Sequence, residues 1–300
     1  MGGQYPDLYE KGTALLLLPE DIGGGTVWSV SNSQNSVQGF NGCTGQFISQ
    51  FSGNGSNTLN APDGMAIAPN GNFYVMNYAN SHVEIFDANG SYISQFGSMG
   101  TGNGQFTNTG GGIAINAINE NVYVSDGGDS RVEIFDANGS YISQFGSYGS
   151  GNGQFNGPAG IAIDTSGTVY VADYYNSRVE YFNANGTYIS QFGVSGNGYS
   201  SGTLIDPRGL AIDTNSNIYV VSSYGGNRVD EFSLIGTWLS RFGSQGTGNG
   251  QFESPNGIAI GPGGKIYVAD AGNNRVQVFD ANENYLFQFS QPNPTFLFVR

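Results

Sequence analysis

GQFNGPAGIAIDTSGTVYVADYYNSRVEYFNANGTYISQFG, residues 153–193, holds four short apolar runs at 161–163, 169–172, 179–182 and 188–192. Each is shorter than a stable helix needs, and each either alternates in polarity or is rich in β-branched and aromatic residues, as strands are. Turn formers separate them: Asp164 to Gly167, Asp173 to Ser177, and Asn183, Ala184, Asn185 and Gly186. The stretch reads as an antiparallel four-stranded meander, and almost all of the chain is this unit rewritten.

Working outward, the same four runs recur at 64–68, 73–76, 83–86 and 92–96; at 112–115, 122–125, 132–135 and 141–145; at 209–212, 218–221, 229–232 and 238–242; and at 257–260, 266–269, 276–279 and 285–289. A degenerate first unit uses 14–18 (ALLLL, stopped by Pro19), 27–30, 37–40 and 47–51. The third-strand phenylalanine, at Phe40, Phe86, Phe135, Phe182, Phe232 and Phe279, recurs every 46 to 50 residues, with the slack in glycine-rich connections such as 98–104 and 244–250. A four-stranded unit at this period cannot bury both faces alone and is the mark of a propeller blade. The expected fold is all-β: a six-bladed β-propeller of four-stranded antiparallel blades, at about 13–51, 62–96, 110–145, 158–192, 207–242 and 255–289. Residues 1–12 read as a polar lead-in. Residues 292–300 carry one more apolar strand, TFLFV at 295–299, expected either to close the ring on the first blade or to pair with another chain as a homo-oligomer or polymer.

Composition narrows the partners. Charged residues are 11% of the 300, against about 25% in ordinary soluble domains. The net charge is −14, and of the nine Lys and Arg residues four sit at one repeated position. Phosphate contacts need clustered cations, so nucleic acid is excluded as a partner. No apolar run reaches the ~20 residues of a membrane span, and the first residues carry neither the basic nor the apolar region of a signal peptide. One cysteine, Cys43, rules out an internal disulfide. The Asn-, Ser- and Gly-rich surface points to an extracellular or cell-surface setting.

The segments GNGQF, PxGIAI, YVAD, NRV and FD, in that fixed order, resemble the NHL repeat. Residues 250–252, 255–260, 267–270, 274–276 and 279–280 match it closely; the likeness is good over 60–290 and loose over 13–51. The resemblance implies propeller blades. It leaves function open, because NHL proteins include extracellular lyases, RNA-binding proteins, sensor domains and interaction scaffolds.

Asp126/Arg131, Asp173/Arg178 and Asp270/Arg275 flank the connection between second and third strands. Arg228 faces Ser222 at this register, His82 faces Asn77, and the first blade has Ser31 and Ser36. They read as structural loop pairs, because a forked guanidinium matches a carboxylate, rather than as a functional ring of charge. His82, the only histidine, reads as a degenerate Arg position, since one His cannot build a His-rich zinc site. The NHL-type amidating lyase that the resemblance brings in holds its metal with several histidines. No catalytic residue, metal or cofactor is therefore expected, a structural Ca2+ being the one exception entertained.

The residue between Pro and Gly in each first strand varies: Thr13, Asp63, Gly111, Ala159, Arg208 and Asn256. These should ring one mouth of the channel, where the second-to-third loops add Tyr78, Tyr174, Tyr175 and Tyr224. Asp63, Arg208, Asn256 and the four tyrosines are the candidate ligand-binding residues, and a protein, peptide or glycan is the expected ligand. The third-to-fourth hairpins on the opposite face place N-x-S/T at Asn89, Asn138 and Asn185, with another at Asn54, as candidate glycosylation sites. The favoured reading is a non-enzymatic binding or scaffold propeller. The alternative is a metal-dependent extracellular lyase or hydrolase working at the channel mouth.

Overall fold

Local turn chemistry separates the strands before any sheet packs. In the third hairpin Asp136 accepts the backbone N–H groups of Asn138 and Ser140 at 2.9 and 2.8 Å, and Gly139 donates back to the Asp136 carbonyl. Gly139 sits at φ +85°, which glycine adopts without strain. The Asp87 and Asn183 hairpins repeat this scheme.

The computed structural model describes residues 25–54, 57–107, 109–196, 200–292 and 294–299. Strands pair in order of sequence, from the axis outward. The fourth blade, for example, runs Pro158–Ile163, Val169–Asp173, Arg178–Phe182 and Tyr188–Phe192. Four other sheets follow the same order, and the innermost strands touch one another in a closed circle. The fold is a six-bladed β-propeller of four-stranded antiparallel blades.

The first blade is completed from the far end of the chain. Its innermost strand is Pro294–Val299, antiparallel to Thr26–Ser31, with Ser36–Asn41 and Phe47–Phe51 outside it. Pro294 opposes Ser31 as Pro158 opposes Asp173, so the tail occupies the register of the other first strands. The expected strand at 14–18, with Thr13, lies outside the described residues. The mouth position assigned to Thr13 is filled by Thr295, which is buried. The tail qualifies because it is largely apolar and begins with proline, as other first strands do.

Six apolar clusters, each between two adjacent blades, make up the core. Valines of second and third strands meet the third-strand phenylalanine of the next blade, and the outermost phenylalanine caps the contact: Phe145 lies 4.6 Å from Phe182, centroid to centroid. Polar ties cross the same interfaces. Tyr74 donates to the Ala137 carbonyl, Tyr123 to Ala184 and, over the closing seam, Tyr267 to Gly42. Cys43 is half-buried at that seam, with Lys265 Nζ 3.4 Å from its sulfur.

Candidate ligand-binding site

The second strand of each blade ends at one mouth of the channel, and the residue after it begins a tight turn. Tyr174–Asn176 is such a turn, closed by Ser177 at φ +55°. Tyr174 packs against the apolar cluster between fourth and fifth blades, and Tyr175 stands 69% exposed. The loops of the second and fifth blades add Tyr78 and Tyr224, 41% and 60% exposed.

These rings wall a cavity of about 470 Å³, whose lining includes Asp63, Tyr78, Ala159, Tyr174, Tyr175, Arg208 and Tyr224. Asn256 completes the cluster by accepting a hydrogen bond from Arg208 Nη1 at 3.3 Å. Six of the seven candidate residues thus line one cavity, and Asn256 lies beside it as the acceptor of the Arg208 hydrogen bond. Sequence reasoning missed Asn32 and Gly127, which also line it. Both stand directly after a second strand, at the register of Tyr78 and Tyr174, and that shared register was the available signal. The opposite end of the channel differs: about 530 Å³ walled by the aliphatic first strands, with Ile67, Ile115, Ile163, Ile212, Ile260 and Val299 among the lining residues.

Electrostatically the polar mouth is sparse. Arg208 lies over the Tyr174 and Tyr224 rings, 5.2 and 5.6 Å from their centroids, a cation–π cradle with one ring from its own blade and one from the preceding blade. Burial raises the Asp63 carboxyl above its ordinary range, and the Arg208 charge only partly offsets this. Burial likewise raises Tyr174.

The Asp/Arg pairs turn inward instead. Arg178 donates through Nε to Asp173 at 2.8 Å, and through its other nitrogens to the carbonyls of Ser150, Gly151 and Gln154 and to Gln191. Arg275 repeats the set with Asp270, Thr247, Gly248, Gln251 and Gln288. Arg131 does so more loosely, at 3.4 Å from Asp126. Each arginine therefore fastens the glycine-rich loop leading into its own blade. In the second blade His82 Nε2 lies 3.2 Å from buried Glu84, which Asn77 also contacts.

Beside these pairs lie Glu133 and Glu180, fully buried on third strands. Burial, opposed mainly by Arg131 and Arg178 respectively, raises each from 4.5 to about 7. Gln277 holds the equivalent place in the sixth blade. An acid whose folded pKa is raised stabilises the fold fully below its unfolded value and loses that contribution as pH climbs through the folded one. Denaturant unfolding should therefore show stability falling between about pH 5 and pH 8, by on the order of 2 kcal/mol per glutamate. Glu133→Gln with Glu180→Gln should flatten that slope; an unchanged slope would contradict the assignment.

Asn89, Asn138 and Asn185 are exposed on the hairpins of the other face, and the Asn54 side chain lies outside the described residues. Among the described residues no three His, Cys, Asp or Glu side chains gather so as to hold a metal ion, and no helix is long and apolar enough to cross a membrane.

With this geometry in place, the NHL repeat family matches residues 155–182 and 252–279, a 6-bladed beta-propeller family matches 67–132, and a beta-propeller repeat matches 187–223. Human NHL repeat-containing protein 3 is 31% identical over 77 residues, a stretch covering 25% of this chain and 22% of that protein. Among solved structures, a chain of the nidogen/laminin complex superposes with a TM-score of 0.70 at 15% identity, covering 92% of this chain and 98% of its own. A streptogramin B lyase gives 0.63 at 12%, covering 91% and 83%. The inactive virginiamycin B lyase from Staphylococcus aureus with quinupristin gives 0.60 at 14%, covering 89% and 80%. At these identities the likeness to the solved structures is one of fold.

Proposed function

We propose that this chain, an NHL-repeat six-bladed β-propeller, is a non-enzymatic binding module whose tyrosine-walled channel mouth takes a peptide or an exposed loop of a partner protein. The observation that carries the reading is the convergence of Tyr78, Tyr174, Tyr175 and Tyr224 on one cavity. Every blade has a loop there, yet only the second, fourth and fifth place tyrosine in it. Stiff amphipathic rings supply contact area at small entropic cost and a hydroxyl for main-chain groups. The scarcity of charge, and sequons on exposed turns, favour a setting outside the cell or at its surface. A glycan would use the same rings by stacking, but a 470 Å³ mouth with a cation and a carboxyl on its wall suits the mixed chemistry of a peptide better.

Tyr175→Ala combined with Tyr224→Ala should leave the fold intact, because both rings are exposed. The pair should weaken, at least roughly tenfold, the peptides that wild type selects from a random octapeptide pool. Peptides held equally by the double variant would place the partner on another surface. Stoichiometric calcium or zinc in the purified protein would instead favour the lyase or hydrolase alternative.

A further inference from the structure

We infer that the mouth is a receptor for a single carboxylate, with Arg208 as the residue that takes it. This rests on the binding reading above and assigns the ligand's chemical class. The argument begins with how the other arginines spend their donors. Arg178 and Arg275 each direct all three nitrogens at protein acceptors; Arg131, Arg228 and Arg241 each make at least two such bonds, although Arg131 Nε is itself buried without a partner. Arg208 makes one hydrogen bond among the described residues, the long one from Nη1 to Asn256. Its Nε is buried with no partner, and Nη2 has no partner and is not buried. Nε and Nη2 form one edge of the guanidinium, the edge that meets both oxygens of a carboxylate in a bidentate pair.

The head is nevertheless held in position. Tyr174 and Tyr224 lie against it and Asn256 fixes one corner, so little side-chain freedom is lost when an anion arrives. A guanidinium locked by aromatic neighbours while its donors stay unspent is built to receive an acceptor from outside. Nearby charge selects which acceptor. Asp63 shares the cavity, and the chain carries a net charge of −14. A dianionic phosphate or a run of acidic residues would meet repulsion both at close range and over the whole surface. One planar carboxylate, from a peptide C-terminus or a lone Asp or Glu side chain, meets the fork with the least charge. The exposed faces of Tyr78, Tyr175 and Tyr224 then flank the rest of the peptide.

The test titrates 15N-labelled full-length protein with a pool of N-acetylated tripeptides, prepared once as free acids and once as C-terminal amides lacking acidic side chains. The free acids should shift the Arg208 Nε–H resonance and bind at least roughly tenfold more tightly than the amides. A second acid pool, carrying one Asp or Glu and an amidated terminus, separates the two carboxylate sources. Arg208→Met should bring acids and amides to equal affinity, with Arg208→Gln as the alternative variant if the first does not fold. Equal binding of acids and amides by wild type, or no movement of the Arg208 signal with any acid, would overturn the carboxylate assignment. Amides that still perturb the tyrosine rings would leave the mouth standing as the binding site. Acids that shift neither arginine nor tyrosines would remove both readings.

Discussion

A chain ending at Gln291 is expected not to fold. The deleted Pro294–Val299 strand is the innermost of the first blade and pairs the end of the chain with Thr26–Ser31. Its Leu297 is 5% exposed in the cluster between sixth and first blades, and Phe298 packs between first and second. Burial of such side chains contributes about 2 kcal/mol each, so losing the strand costs a sizeable part of the 5–15 kcal/mol that typically holds a domain together. The loss also strips cover from Val27, Ala259 and Met65, and frees one edge of Thr26–Ser31. Far-UV circular dichroism and size-exclusion chromatography should show a non-native, aggregation-prone chain. A stable monomer replacing a full-length polymer would mean that the strand is exchanged between chains instead.

Arg178→Met should cost about 3–5 kcal/mol, although it removes a buried residue that lines neither end of the channel. The substitution keeps the apolar stem and deletes the fork, leaving Asp173 buried without its ionic partner and the Ser150, Gly151 and Gln154 carbonyls without donors. Burial already raises Asp173 against the hydrogen bonds from Asn156, Asn176 and Arg178, so removing one of these hurts more than it would at the surface. Urea unfolding should show a lower midpoint at an unchanged slope. A loss below about 1 kcal/mol would mean that water replaces the fork as the loop's anchor. Arg208 offers the contrast: its donors are mostly unspent, so its loss should leave the unfolding midpoint nearly unmoved and change binding instead.

That contrast marks where reading the chain alone stops. The strands, their period and the blade number were legible because period-two patterning and Asp-Ala-Asn-Gly turns act over a few residues and repeat. The rim positions were legible too: Asp63, Arg208 and Asn256 break a motif that is otherwise constant, and the tyrosines break the loop that faces it. Two things were not. Closure of the ring by the tail was one of two readings left open. That the tail forms the innermost strand of the first blade was not read, because closure is a condition on both ends of the chain at once. Phe296 stands where the other first strands have glycine, and the more apolar run at 14–18 lies close to the first blade in sequence.

Nor does any local signal say that Arg208 is cradled, while Arg178 is fastened to its loop. Tyr174 precedes Arg208 by 34 residues and Tyr224 follows it by 16, and they meet it only because adjacent blades converge on the axis. Local chemistry determined the repeated unit; the geometry of convergence decided which departures from it share a site.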